Sequence, residues 1–244
     1  MSSYPEFPTK EDWTRIYNAS QFENIFSLLD RFDELIPTSN DLLDLPTTIE
    51  LQSLVPEITH RLGDTGKSYL LMMFYYEQGI PDDPAFISPG MQGQTVQFYP
   101  NMDSNQRQNK DWFDFYSDTL YFKLFSAWDL IGHFLNVKYG LGVEKVDFNK
   151  AVTNLKSKNV GPFKNLGKLK SSPAFKTASI LRNNITHNRL PNTLGMEVTR
   201  KVTRIGPAID IGLKIYFPAA EIVANTRETL SLFASTIEAM LDQS

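Results

Sequence analysis

The sequence predicts a mainly α-helical protein, an antiparallel helical bundle that carries one small β-hairpin insertion. Three long segments have apolar residues at helical spacing, and one region near the C-terminus instead alternates polar and apolar residues. The chain has 244 residues, of which 41% are hydrophobic, so it can bury the core of one large domain or of two small ones.

The long helices are predicted from apolar residues that recur every three or four positions. The middle one is the clearest, because Phe113, Leu120 and Leu124 fall on one stripe and Gly140 can stop the helix. The last begins at Pro218, a residue suited to a first helical position. The long helices are predicted at Leu51–Gln78, Asp111–Tyr139 and Pro218–Asp242, and shorter ones at Gln21–Leu35, Phe148–Lys156 and Ser171–Thr186.

The β-hairpin is predicted at Glu197–Thr203 and Ile209–Phe217, which a Gly-Pro pair separates. Gly79–Lys110 is rich in Gly, Pro, Asn, Asp and Gln, which predicts a long loop. That loop would separate a helical N-terminal region of unassigned role, residues 1–110, from a C-terminal bundle, residues 111–244.

The composition limits the chemistry. The absence of cysteine excludes disulfides, a thiol nucleophile and thiolate metal sites. Because the sequence has no signal-peptide pattern and no apolar run of membrane-spanning length, we expect a cytoplasmic protein that does not bind membranes. Residues 150–204 hold twelve Lys or Arg and one acid, a net charge of +11, whereas the rest carries −15. This basic segment meets a polyanion or the acidic part of the protein, or it is only a solvated connector.

The segment RLGDTGKS, Arg61 to Ser68, superficially matches a phosphate-binding loop. That motif requires a preceding strand and a glycine five positions before the Gly-Lys pair, and this chain has Arg61 at that position. We therefore interpret the segment as a turn between helices and reject a nucleotide site there.

His60 lies between Thr59 and Arg61 and is interpreted as a solvated histidine, whereas the other two histidines stand in more specific patterns. His133 follows Asp129 by four positions, so the two share a helix face, which favours a buried polar pair over half of a metal site. His187 follows Arg182 by five positions, near the end of an amphipathic helix and inside the basic segment, and Asn183 stands next to the arginine.

The order Arg182-Asn183-Asn184-Ile185-Thr186-His187 resembles the Arg-polar-x-x-x-His signature of the HEPN superfamily, and the resemblance covers residues 111–244. Members are helical bundles, usually homodimers, in which one more helix follows the signature. Active members are mostly metal-independent ribonucleases, some of them toxins or defence effectors. The resemblance thus implies an endoribonuclease without cofactor or metal, acting on single-stranded RNA, with an antitoxin or regulatory protein as a further partner.

Two alternatives stay open beside this interpretation. Many active members have a tyrosine two positions after the histidine, where this chain has Arg189. That difference favours a non-catalytic HEPN module that binds RNA or a protein. A plain helical structural protein with a coincidental motif is the third possibility.

The resemblance assigns a role to each residue of the signature. His187 would act as general acid and base, since a histidine side chain ordinarily titrates near neutrality, and Arg182 would grip the phosphate. Asn183 would orient the attacking group or the histidine, and Asp129 would hold the arginine. Substrate contacts are expected from the basic segment, at Lys164, Lys168, Lys170, Lys176 and Arg189.

Helix geometry separates the two principal residues. Five positions on an ideal helix correspond to 500°, so Arg182 and His187 point about 140° apart. They can share one site if the helix breaks before His187, which Asn188 and Pro191 favour, or if a dimer joins two motifs across a two-fold axis.

Overall fold

Helices dominate a computed structural model that describes residues 6–37, 43–83, 85–87, 96–98, 101–187, 196–203, 206–213 and 216–242. This part of the chain forms eight α-helices, one 3₁₀ turn and two β-hairpins. The helices are α1 Lys10–Asn18, α2 Phe22–Leu29, α3 Leu45–Glu77, α4 Ser104–Lys138, α5 Phe148–Lys158, α6 Phe163–Ser171, α7 Pro173–His187 and α8 Ala219–Leu241. The 3₁₀ turn is Phe32–Leu35, and the strands are β1 Ala85–Ile87, β2 Val96–Phe98, β3 Met196–Thr203 and β4 Gly206–Leu213.

The two longest helices, α3 and α4, lie antiparallel along each other. Lys123 Nζ is 2.8 Å from Asp64 Oδ2, and further along the pair the rings of Tyr76 and Phe113 have centroids 6.0 Å apart. As the residue number rises on α3 it falls on α4, which defines the antiparallel arrangement. Pro56 lies inside α3 without ending it.

Helix α8 runs in the same direction as α4 and is tied to it by buried hydrogen bonds. The Tyr121 hydroxyl donates to Asn225 Oδ1 at 2.8 Å, and Trp128 Nε1 donates to Thr236 Oγ1 at 3.3 Å. Buried polar groups must be paired to avoid a desolvation penalty, so these bonds also fix the register between the two helices.

Trp128 is the centre of the core where four helices meet. Its ring centroid lies 5.3 Å from Phe125, 6.1 Å from Phe148, 5.0 Å from Phe175 and 5.3 Å from Phe233. These rings belong to α4, α5, α7 and α8, and tilted aromatic pairs at such separations add to the stabilisation from burial. The cluster holds α5 and α7 against α4, where the candidate site lies.

The N-terminal elements pack on the same core. The rings of Phe32 and Phe134 have centroids 5.2 Å apart, and Lys138 Nζ donates to the Leu35 carbonyl at 2.7 Å. One cluster of buried apolar residues extends from Ile16 to Leu241. The division of the chain at residue 110 stays a prediction.

The predicted mainly α bundle with a β-hairpin insertion is confirmed. Strands β3 and β4 pair antiparallel from Met196 opposite Leu213 to Thr203 opposite Gly206, so the second strand begins three residues before its predicted start. The predicted loop over Gly79–Lys110 is wrong in part. It contains the β1–β2 hairpin, and its end forms the first two turns of α4.

The segment RLGDTGKS is not a turn, because it lies inside the uninterrupted helix α3. A Cβ atom at Gly66 would lie 3.6 Å from the Phe22 ring, an ordinary contact, and one at Gly63 would meet nothing within 4 Å. No phosphate-binding loop forms here, since the backbone is helical throughout, but the predicted turn is wrong.

Candidate functional site

Helix α7 carries the signature and lies on the core through Phe175, Ala178 and Leu181, which are buried. Its start is defined locally: Pro173 is the first residue, and Ser172 Oγ accepts the N–H of Phe175 at 3.2 Å. Because the buried residues recur every three positions, one face of α7 is fixed against α4 and α8. The next residue after Leu181 is the arginine of the signature.

Arg182 lies at the edge of the core and is half-buried. Its Nη1 donates to Asn183 Oδ1 at 3.1 Å, whereas Nε is buried and finds no hydrogen-bond partner among the described residues. A buried N–H without a partner costs about 1–3 kcal/mol. The guanidinium is therefore held at the edge of the core with one donor that no described residue satisfies.

Asp129 lies on α4 close to this arginine. Its Oδ1 accepts the backbone N–H of Phe148 at 3.1 Å. Burial raises the pKa of the Asp129 carboxyl, while the Phe148 N–H bond lowers it, the charge of Asp147 raises it, and the positive charges of Arg182 and His133 lower it. The structure thus brings Asp129 and Arg182 within electrostatic reach of each other, and burial is the largest influence on the carboxyl.

His133 differs from its prediction. The sequence favoured a buried pair with Asp129, but the His133 side chain is exposed. It stands one turn beyond Asp129 on α4, near enough for its positive charge to lower the Asp129 pKa. The pairing pattern was visible in the sequence, whereas the exposure depends on which elements cover α4 at this point.

The other half of the signature lies on a different side of α7. The helix is regular through His187, so the predicted break before His187 is wrong. At 100° per residue, position 187 remains about 140° from position 182 around the helix axis. Asn188, Arg189 and Pro191 lie outside the described residues.

The four lysines expected to contact the substrate lie on two neighbouring helices, α6 and α7. Lys164 and Lys168 are exposed on α6, Lys170 is half-buried in the last turn of the same helix, and Lys176 is exposed on the first turn of α7. Lys170 and Lys176 line one groove together with Asn149 and Ser179, two residues that sequence reasoning missed. Spacing on α7 is the signal that could have found Ser179, because it stands three positions after Lys176 and four before Asn183.

Within the described residues, no group of three or more His, Asp or Glu side chains is placed to hold a metal ion. Over the same residues, no helix is both long enough and apolar enough to cross a bilayer.

Comparison with known proteins gives one match. A family model of Cthe2314-like HEPN domains matches residues 54–240, a span that includes most of α3 and the whole region from α4 to the signature and α8. No curated protein and no solved structure matches the chain. The family match covers more than half of the chain and contains the Arg182–His187 signature on the helix that precedes the last one. The chain therefore belongs to the Cthe2314-like HEPN family.

Proposed function

We propose that this HEPN protein is an endoribonuclease that cuts single-stranded RNA without a metal ion. The observation that carries the proposal is the order Arg182, Asn183 and His187 on α7 of a chain that matches a HEPN family. The net charge of +11 over residues 150–204 supports a polyanionic substrate. RNA also agrees with the cytoplasmic location expected from the sequence.

The chemistry assigns one task to each residue. The ribose 2′-oxygen attacks the adjacent phosphorus, the bond to the 5′-oxygen breaks, and a 2′,3′-cyclic phosphate is left. His187 removes the 2′-hydroxyl proton and returns a proton to the leaving 5′-oxygen. Arg182 stabilises the charge that develops on the phosphate oxygens, and Asn183 orients the attacking group or the histidine.

Asp129 acts in this scheme as a positioning residue. Its carboxylate is anchored by the Phe148 N–H, and its charge interacts with that of Arg182. Such a partner limits the freedom of the guanidinium that would grip the phosphate. No covalent role is assigned to it.

A homodimer resolves the geometric separation of the two principal residues. Positions 182 and 187 are about 140° apart around the axis of a regular helix, which favours a site that combines residues of two chains. A two-fold axis near α7 would combine Arg182 of one chain with His187 of the other. Two basic segments would then border one cleft for the RNA backbone.

The test measures RNA cleavage with excess EDTA present. We expect the full chain to leave 2′,3′-cyclic phosphate ends, and His187→Ala and Arg182→Ala each to lower the rate by about 100-fold or more. His60→Ala is the matched control, because His60 is an exposed histidine on α3 outside the signature, and its rate should equal that of the wild type. Equal rates for wild type and His187→Ala would refute the proposal.

A second candidate function is a non-catalytic HEPN module that binds RNA or a protein. The residue that favours it is Arg189, which stands where many active members have tyrosine. An antitoxin or regulatory protein is then the protein partner to expect. Salt-sensitive RNA binding without turnover by the wild type would favour this function over cleavage.

A further inference from the structure

Helices α5, α6 and α7 border an open groove of about 550 Å³. Asn149 from α5, Lys170 from α6, and Lys176, Ser179 and Ile180 from α7 contribute to its lining. Pockets that hold small molecules measure roughly 300–1,000 Å³, so this groove has room for one nucleotide.

One cation of the groove is held in place by the protein itself. Lys170 Nζ donates to the Asn149 carbonyl at 3.0 Å and to Thr153 Oγ1 at 3.1 Å. An ammonium group has three donors, so one N–H of Lys170 remains for a ligand. Because the side chain is already ordered, binding an anion there costs little conformational entropy.

The groove keeps a positive charge. Burial raises the pKa of the Asp147 carboxyl, but the hydrogen bonds and charge of Lys150 and the charge of Lys170 lower it, and the lowering prevails. That carboxylate is also 3.0 Å from Lys150 Nζ. Lys176 adds an exposed cation on α7, and the described residues that line the groove include two lysines and no acid. An anionic ligand is therefore favoured over a neutral or cationic one.

The groove also has an apolar part. Ile180 is 52% exposed, whereas Phe175 beside it in the lining is only 4% exposed and packs on Trp128. An exposed isoleucine next to lysines and serine hydroxyls matches a ligand that has a flat apolar ring and a charged group. A nucleotide is such a ligand, since its base has an apolar face and its phosphate is an anion.

The groove adjoins the signature. Ile180 precedes Asn183 by three positions, so the two are neighbours on the exposed face of α7. Lys176 lies seven residues before Asn183, about 10 Å along the helix axis. A strand that follows α7 from the groove therefore reaches the signature within one or two nucleotides.

We propose that the groove between α5, α6 and α7 is a nucleotide subsite for single-stranded RNA, in which Lys170 and Lys176 bind a phosphate and Ile180 contacts a base. The proposal rests on the proposed function, because it places the nucleotide that flanks the scissile phosphate. It names residues outside the signature, Lys170, Lys176 and Ile180, that would bind the RNA.

The experiment measures binding separately from cleavage. A fluorescein-labelled RNA of ten uridines is titrated with the full His187→Ala chain by fluorescence anisotropy, at about 50 mM and about 200 mM salt. Lys170→Gln, Lys176→Gln and Ile180→Ala are compared with Lys156→Gln. The last is a matched control, because Lys156 is exposed in the same basic segment and does not line the groove.

We expect each lysine variant of the groove to weaken binding about 3–10-fold at low salt and to reduce the salt slope by about 1. Ile180→Ala should weaken binding by similar factors at both salt concentrations, since it removes an apolar contact. The exposed Lys176 side chain makes no hydrogen bond to the described part of the chain, so a loss in Lys176→Gln is not explained by misfolding. The proposal is overturned if all groove variants bind RNA with the same affinity as Lys156→Gln, or if the His187→Ala chain without further changes binds no RNA.

Kinetics with His187 restored separate the two proposals. Groove variants should raise KM and leave kcat unchanged. If the wild type binds RNA with the expected pattern but does not cut it, the subsite stands and the endoribonuclease proposal fails. If the wild type cuts RNA and the groove variants keep its KM, cleavage stands and the subsite is wrong.

Discussion

Asp129 on α4 accepts the backbone N–H of Phe148, the first residue of α5, at 3.1 Å. The bond satisfies one of the N–H groups that the start of a helix leaves unpaired, and it fixes the carboxylate that interacts with Arg182. The junction between α4 and α5 therefore sets the position of an acid next to the signature, although neither Phe148 nor α5 carries catalytic groups.

Gly132 makes this junction possible, and its replacement provides the first prediction. A Cβ atom at Gly132 would lie 2.8 Å from the backbone nitrogen of Phe148, so α5 must move away in Gly132→Ala. We expect a loss of about 1–3 kcal/mol in the free energy of unfolding, measured by urea denaturation, and a lower rate of RNA cleavage. Gly63→Ala is the control, because that glycine lies in open space on α3 and alanine favours a helix by about 1 kcal/mol. Equal stabilities of the two variants would contradict this account of the junction.

Asp82 is expected to be a main anchor of α8. It is 3% exposed, accepts the Ala219 N–H at 2.9 Å and accepts the Tyr216 hydroxyl at 2.7 Å. Asp82→Ala leaves these donors without their acceptor, and we expect it to cost about 2–3 kcal/mol in the free energy of unfolding. Asp83→Ala removes an exposed acid next to it and should change stability by less than about 0.5 kcal/mol. If Asp82→Ala also changed the free energy of unfolding by less than about 0.5 kcal/mol, the hydrogen bonds that Asp82 accepts would contribute little to the stability of α8.

Asp118 makes the stability of the fold depend on pH. Burial raises its pKa to about 7, the charge of Asp114 adds to the rise, and Lys110 opposes it. Asp118 Oδ1 is buried and has no hydrogen-bond partner among the described residues. Because the folded pKa is raised, the native chain holds a proton that the unfolded chain has released, and stability falls as pH rises from about 4 to 7.

Asp118→Asn removes that dependence, because the amide stays neutral. We expect the variant to exceed the wild type in free energy of unfolding by on the order of 1–2 kcal/mol at pH 8, after allowance for solvent screening, and the gain to shrink towards pH 4. Thermal unfolding from pH 4 to 8 measures this. Asp111→Asn alters an exposed acid on the same helix and serves as the control. A pH-independent difference between wild type and Asp118→Asn would contradict the assignment.

Mixing two inactive chains tests the composite site. Arg182→Ala and His187→Ala are each expected to be inactive, but a mixed dimer contains one site with Arg182 from one chain and His187 from the other. Random exchange should restore roughly a quarter of the wild-type RNA cleavage. If the mixture has no more activity than the separate variants while the wild type is active, both residues act from one chain and the two-chain arrangement is wrong.

Much of the fold could be predicted because the apolar residues of a long helix recur in the sequence with the helical period. The stripe of Phe113, Leu120 and Leu124 marked α4, and alternation marked the β3–β4 hairpin. The first turns of α4 were missed because they are polar, although Asp103 and Gln106 form a capping box that signals the start. The short helix α1 begins with a similar box between Thr9 and Asp12.

The remaining differences depend on contacts between residues distant in sequence. The two glycines of RLGDTGKS suggested a turn, yet α3 continues through them, since Phe22 packs beside Gly66 and stabilises the helix from outside. The exposure of His133 and the groove around Lys170 likewise depend on how α5 and α7 pack on α4 and how α6 packs on α5 and α7. The signature could be recognised in the sequence, because all its residues lie close together on α7. The continuation of α7 through His187 could not be predicted.

The most direct test of the central claim is the rate of single-stranded RNA cleavage in excess EDTA, measured for the full wild-type chain and for His187→Ala prepared identically. We expect the wild type to leave 2′,3′-cyclic phosphate ends and His187→Ala to be at least about 100-fold slower, with His60→Ala equal to the wild type. A wild type and a His187→Ala variant that cleave at the same rate would contradict the claim that this HEPN protein cuts RNA through its signature.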